Sequence, residues 1–189
     1  MYVSEEANPN NTLHVEGVEL YYDAEILKKG VVLIDTPGIG STHRHNTEAT
    51  LNFLPQCDAA LFLMSADPPI TEVELEFLKQ VATRVNKIFF ILNKIDYLSP
   101  EELEEVQRFI MRVIREKAGI QEGIALYPVS AKLGLEAKCS HDTTLLSQSR
   151  LDYLEDHIIR FMSQKKEKIL QASIPRKSFD ILTDLEMQL

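Results

Sequence analysis

Lys87–Asp96 reads KIFFILNKID, a continuous apolar run that closes on Asn-Lys-x-Asp. Unbroken apolar character marks a strand buried on both faces, as in a parallel sheet covered by helices. Two further runs have the same character, AALFLMSA from Ala59 and ALYPVS from Ala125. A third, VVLID at Val31–Asp35, follows LHVEGVELYY at Leu13–Tyr22, whose alternation of apolar and polar residues predicts a half-buried strand. DAEILKKG between them turns the chain, so these two are expected to form an antiparallel pair.

Helices are expected between the strands. Thr71 and Glu74 form a T-x-x-E capping box, and Leu75, Leu78, Val81, Ala82 and Val85 keep helical spacing after it. Ser99-Pro100-Glu101-Glu102 is a second box with proline at the first helical position. Leu103, Val106, Phe109, Ile110, Val113 and Ile114 supply its apolar face, and Gly119 stands where a C-terminal cap belongs. Strands alternating with helices give an α/β fold with a parallel core. Residues 132–149, KLGLEAKCSHDTTLLSQS, are polar and weakly patterned and are expected to be a surface loop, with room for a short helix. A helix from Ser149 carries Leu151, Leu154, Ile158, Phe161 and Met162 on one face; Ile174-Pro175 interrupts it, and Phe179, Leu182 and Leu185 resume a helical pattern.

The net charge of −9 argues against bulk nucleic-acid binding and a broad cationic membrane face. Lys165, Lys166 and Lys168 read as the solvated face of a helix. No apolar run approaches the ~18–20 residues of a membrane span, and the acidic, polar start MYVSEEANPNN is unlike a secretory signal. Cys57 and Cys139 have neither metal-ligand nor redox spacing, which fits reduced thiols in a cytosolic protein.

The strand ends carry the chemistry, because open α/β sheets bind ligands at the carboxyl ends of their strands. Asp35-Thr36-Pro37-Gly38 offers a carboxylate that can hold Mg²⁺ through a water, and a Gly38 amide that can donate to a terminal phosphate oxygen. Asn93-Lys94-Ile95-Asp96 offers the paired acceptors of Asp96 to the N1–H and N2–H₂ edge of guanine, with the Lys94 stem lying across the ring. Ser130-Ala131-Lys132 places the Ala131 amide where it can donate to guanine O6. Singly these are weak: an Asp-Thr-Pro-Gly turn is ordinary turn chemistry, Asn-Lys-Ile-Asp serves equally as a polar strand end before the Ser99 cap, and three residues prove nothing. In the order phosphate, base, base, each at a strand end, they form the signature of the GTPase superfamily of P-loop proteins.

The wording around the motifs narrows this. Asp-Thr-Pro-Gly-Ile-Gly-Ser at 35–41, Ser-Ala-Asp-Pro-Pro at 65–69 and Asn-Lys-Ile-Asp at 93–96 resemble a bacterial dynamin-like GTPase, and the resemblance runs through residues 1–170. Ile39 follows the glycine where Ras-like enzymes place a water-orienting Gln, and an apolar residue there is what dynamin relatives carry. The resemblance implies a Ras-like fold, GTP and GDP as ligands with Mg²⁺, membrane remodelling, and G domains that dimerise across their nucleotides. It implies a partial G domain over 1–165, the start of a helical neck over 166–189, and a cytoplasmic protein that meets the membrane through regions outside this chain.

One departure stands out. A P-loop needs two glycines separated by four residues, then Lys and Ser/Thr. The seven glycines, at 17, 30, 38, 40, 119, 123 and 134, include no such pair. The chain is therefore expected to start after the P-loop of a longer relative and to be inactive in hydrolysis by itself. The rival expectations are a P-loop-less pseudo-GTPase that acts as a protein-interaction module, and a half complemented by a separate P-loop chain. Without the central P-loop strand, VVLID and AALFLMSA are expected to pair directly, to hold between them a segment of this chain or of a partner, or to leave the slot exposed and aggregate. His43, His45 and Glu48 fall in what the resemblance makes switch II and read as a polar loop rather than a metal site; Thr36 is counted with the GTP-binding residues and it and Ser41 can assist water or phosphate contacts, though both suit a turn, and His14, His141 and His157 suit the surface or the framework.

Overall fold

The structure is a computed structural model that describes residues 8–9, 12–13, 15, 17–36 and 50–165. The chain divides into two compact units, Met1–Leu33 and Ile34–Leu189. In the first, the short helix α1 (Glu25–Lys28) is followed by Gly30 at φ +85, a left-handed position that suits glycine. Lys28 pairs at the surface with Asp23 and Glu25.

The antiparallel hairpin expected here does not form among the described residues. Neither the described part of 13–22 nor residues 31–36 is a strand. Tyr21 is 93% exposed and Val32 79%, with Leu33 and Ile34 about half exposed. An apolar run becomes a strand only when a neighbour takes up its N–H and C=O groups, and none of the described residues does so here.

In the second unit β1 (Ala60–Ser65), β2 (Ile88–Asn93) and β3 (Leu126–Pro128) lie where apolar runs predict them. They form a parallel sheet in the order β1-β2-β3, in register with Phe62 opposite Phe90 and Ile91 opposite Tyr127. Among the described residues no strand lies on the outer side of β1: 31–36 neither pairs with it nor is joined to it by a borrowed strand. On the far side, β3 has three residues and ends in Pro128.

Helices α2 (Glu72–Ala82) and α3 (Pro100–Lys117) begin as their sequences dictate, both with complete capping boxes. Gly119 follows α3 at φ +71. Phe62, Met64, Phe90 and Leu92 on one sheet face pack with Phe77, Leu78 and Val81 of α2 and with Leu103, Ile110 and Ile114 of α3. This is the main core, with the Phe62 ring 6.5 Å from Phe77 and 6.3 Å from Phe90.

The α3 box sets a pH dependence. The Glu102 carboxylate accepts the Ser99 backbone N–H at 2.8 Å, and that bond, then the Ser99 hydroxyl, holds its pKa below the usual carboxylate value. A lowered folded-state pKa gives stability that is present above the unfolded-state pKa and is lost as pH falls through the folded value. Wild type should therefore exceed Glu102→Gln in urea midpoint at pH 7, and the gap should close on acidification through the carboxylate range. A gap that stays constant down to pH 3 would show that the carboxylate's charge is not what the cap uses.

Residues 131–149, expected as a surface loop, are two helices: α4 (Ala131–Ser140) and α5 (Thr143–Ser149). Ser130 caps α4 and Asp142 caps α5, accepting from Thr144 and Leu145. The faces they bury consist of Gly134, Ala137 and Ser149, so no apolar period betrays them. Helix α6 spans residues 151–165, two residues later than expected. It covers the other sheet face, where Phe161 stacks edge-on against Phe89 at 5.5 Å and Tyr153 lies 6.0 Å from Tyr127. His157, expected at the surface or in the framework, packs 4.2 Å from the Tyr153 ring, and burial pushes the Tyr127 phenol up. Lys165 pairs with Asp58, and Lys138 of α4 with Glu155 of α6. No described helix is long and apolar enough to cross a membrane. Lys166, Lys168 and the pattern at 174–185 lie outside the described residues.

Candidate functional site

The β2–β3 ladder continues past the strands and carries two motifs to one place. Val129 N–H donates to Leu92 O at 2.8 Å, and Ile95 N–H to Val129 O at 3.3 Å. Asn93 is the last residue of β2, and Lys94 adopts φ 68, ψ 34, a left-handed conformation that turns the chain into the 3₁₀ segment Ile95–Tyr97. Asn93 Oδ1 accepts from Lys94 N–H at 2.8 Å and from Ala131 N–H at 3.0 Å. One side-chain oxygen thus stabilises the strained turn and clamps the two loops together.

A second cross-link lies beside it. Ser130, fully buried, donates from Oγ to Asp96 Oδ1 at 2.6 Å, and the same Oγ accepts from Leu133 N–H at 3.2 Å. No described donor reaches Asp96 Oδ2. Lys94 and Lys132 are exposed, and the Lys132 ammonium sits 5.9 Å from the centre of the Tyr97 ring. Asn93, Lys94, Asp96, Ser130, Ala131 and Lys132 therefore form one constellation with both lysine side chains reaching solvent.

The phosphate motif is not drawn into it. Asp35 and Thr36 are exposed and make no hydrogen bond or ion pair with described residues. Gly38, Ile39, Ser41, His43, His45 and Glu48 lie outside the described residues, as does His14. No group of three His, Cys, Asp or Glu side chains able to hold a metal occurs among the described residues. Asp35, expected to meet Mg²⁺ through a water, is an exposed carboxylate that no described metal-ligand group joins; an ion that keeps several waters and takes other oxygens from phosphates needs no further protein ligands there. Both cysteines are free thiols. Sequence reasoning missed Tyr97 and Ser149; nothing in the sequence distinguished Ser149 from an ordinary helix start.

The left-handed Lys94 makes a stability prediction. Such a φ costs a side-chain-bearing residue about 1 kcal/mol or more, and β-branching aggravates it. Lys94→Gly should change the urea-derived stability by less than about 1 kcal/mol, because relief of strain offsets the added freedom of the unfolded chain. Lys94→Val should be less stable than Lys94→Gly by about 1–2 kcal/mol. Equal stabilities would mean that the turn opens without cost.

Three known proteins are similar to this chain. A protein of Caldicellulosiruptor sp. (strain Rt8B.4) named "Uncharacterized protein in xynA 3'region" is 42% identical over 171 residues, which cover 89% of this chain and 42% of that protein. Dynamin-like protein A of Bacillus subtilis (strain 168) is 26% identical over 194 residues, 100% of this chain and 15% of its own length. Among solved structures, Era in complex with MgGDPNP and a stretch of 16S ribosomal RNA is similar at 22% identity and a TM-score of 0.47, over 67% of this chain and 38% of that one. The chain spans less than half the length of each. The family described as "Dynamin family" matches residues 2–96, half of the chain, a segment that includes both the Asp35–Gly38 and the Asn93–Asp96 motifs. A match over half of the chain settles the family: the chain belongs to the dynamin family.

Proposed function

We propose that this chain is the guanine-recognising part of a dynamin-family GTPase, whose reaction is GTP to GDP and phosphate. The observation that carries the reading is the double clamp, Asn93 on the Ala131 amide and Ser130 on Asp96, which holds the two base motifs in one arrangement. In this reading Asp96 accepts the N1–H and N2–H₂ edge of guanine, the Lys94 and Lys132 stems flank the ring, and the loop of Ser130 and Ala131 faces O6. Asp35, Thr36 and Gly38 meet the terminal phosphate, with Mg²⁺ held by Asp35 through a water. Residues 1–165 are then part of a G domain and 166–189 the beginning of a helical neck. Family membership supports, beyond this, a second G domain as partner, membrane remodelling through regions outside this chain, and a cytoplasmic, peripheral location. The net charge of −9 supports no role in nucleic-acid binding.

The test is base discrimination by a longer chain that carries a P-loop ahead of residue 1. Asp96→Asn should weaken GTP by roughly ten- to a hundredfold, the worth of hydrogen bonds to a charged group. ATP and xanthosine triphosphate should weaken far less. Equal losses for all three nucleotides, measured by equilibrium titration, would mean that Asp96 only supports the fold. A second reading, a module that recognises the base without hydrolysis, is favoured by the ordered base half in a sequence with no Gly-x-x-x-x-Gly-Lys. Guanine-selective binding without turnover in the longest natural chain would decide for it.

A further inference from the structure

Ser149 ends α5 and is fully buried, as is Ser130. The Ser149 carbonyl accepts the Ser130 N–H at 2.9 Å. Its hydroxyl is used twice, donating to Leu146 O at 2.6 Å and accepting from Leu151 N–H at 3.2 Å. The next residue, Arg150, adopts φ +57 and redirects the chain into α6, so the turn depends on these ties rather than on a glycine. On its other side the turn is pressed against α4. A Cβ on Gly134 would lie 2.7 Å from Leu151 Cδ2 and 3.3 Å from Leu151 Cβ. The α5–α6 turn is therefore wedged in place, and its carbonyl points at the loop that carries Ser130-Ala131-Lys132.

We propose that Ser149 is a positioning residue for that loop; this rests on reading the loop as part of the guanine site. Its hydroxyl fixes the turn, the turn's carbonyl fixes the Ser130 backbone, and Ser130 Oγ is then aligned on Asp96 Oδ1 and the Leu133 amide. Without the hydroxyl, the Leu151 N–H and the Leu146 carbonyl lose a buried partner and the Ser149 carbonyl is free to rotate. The expected result is not general unfolding but a loop whose two clamps, Ala131 N–H on Asn93 and Ser130 Oγ on Asp96, are no longer held in one arrangement.

The test uses the 189-residue chain as wild type, Ser149→Ala, Ser149→Cys and a core control on another helix, Val81→Ala. Amide hydrogen exchange by NMR is read at Ser130, Ala131 and Leu133 against Phe90 and Leu92 of β2. Ser149→Ala should speed exchange at the loop amides by about tenfold more than at the β2 amides. Ser149→Cys, of like size with a weaker donor, should do the same to a smaller extent, and it carries the test if the alanine variant does not fold. Val81→Ala should show no preference for the loop. Loop and sheet amides changing equally in both Ser149 variants would overturn the proposal. In parallel, fluorescent mant-GDP and mant-ADP are titrated: wild type should prefer the guanine nucleotide and Ser149→Ala should lose part of that preference. A wild type without preference would overturn the guanine reading of the loop, while the exchange result alone decides whether Ser149 positions it.

Discussion

Purified residues 1–189 will hydrolyse GTP no faster than a protein-free control. Phosphoryl transfer asks little covalent chemistry of a protein; it needs the β- and γ-phosphates positioned and their developing charge neutralised. Loss of a single preorganised donor at such a site costs about 10²–10³ in rate. Here the whole Gly-rich cradle and its lysine are absent from the sequence, and Asp35 and Thr36 stand exposed with no described partner. Base recognition of the kind proposed for the Asn93–Lys132 constellation would not make up the difference, since binding that is equal in ground and transition states does not speed the chemical step. Phosphate release measured over many turnovers checks this. Steady turnover that Asp35→Ala abolishes would overturn it.

Phe90→Ala will remove a large part of the stability of the second unit. Phe90 is 1% exposed, sits in the central strand opposite both Phe62 and Leu126, and packs against the Phe62 ring. Truncating a buried phenylalanine costs about 3–5 kcal/mol in lost transfer energy and cavity formation. A domain has about 5–15 kcal/mol in all. Phe109→Ala, on the outer side of α3 where the ring is 38% exposed, should cost less than about 1 kcal/mol. Urea unfolding of the two variants makes the comparison, and similar midpoints would contradict the core described above.

Those two residues also show where sequence was sufficient and where it was not. Phe90 lies in an unbroken apolar run between polar ends, and the start of α3 is written in Ser99, Pro100 and Glu102; both features are local, so the chain announces them. Phe109, expected on the apolar face of α3, is instead exposed, because the face the helix buries is the narrower one of Leu103, Ile110, Val113 and Ile114. Asn93, Asp96 and Ser130 were equally legible as residue types at strand ends, though not as two hydrogen-bonded clamps. The failures have a common cause in partners. Val31–Asp35 has strand composition, but a strand is a relation between two segments, and the described residues supply no second one. Helices α4 and α5 hide their buried faces in glycine, alanine and serine, where closeness of backbones replaces large apolar side chains. Ser149 matters through its carbonyl, and a carbonyl belongs to every residue.

The unlike margins of the sheet limit how copies of it could join. Growth of sheet upon sheet requires units that are adhesive at both ends. Among the described residues, β1 presents an outer row of main-chain groups over six residues, whereas β3 presents three and closes on Pro128, which has no N–H to give. Two copies meeting β1 to β1 about a two-fold axis would use the receptive margin of each and leave only blunt ones outward. Such a unit terminates its own polymer at two.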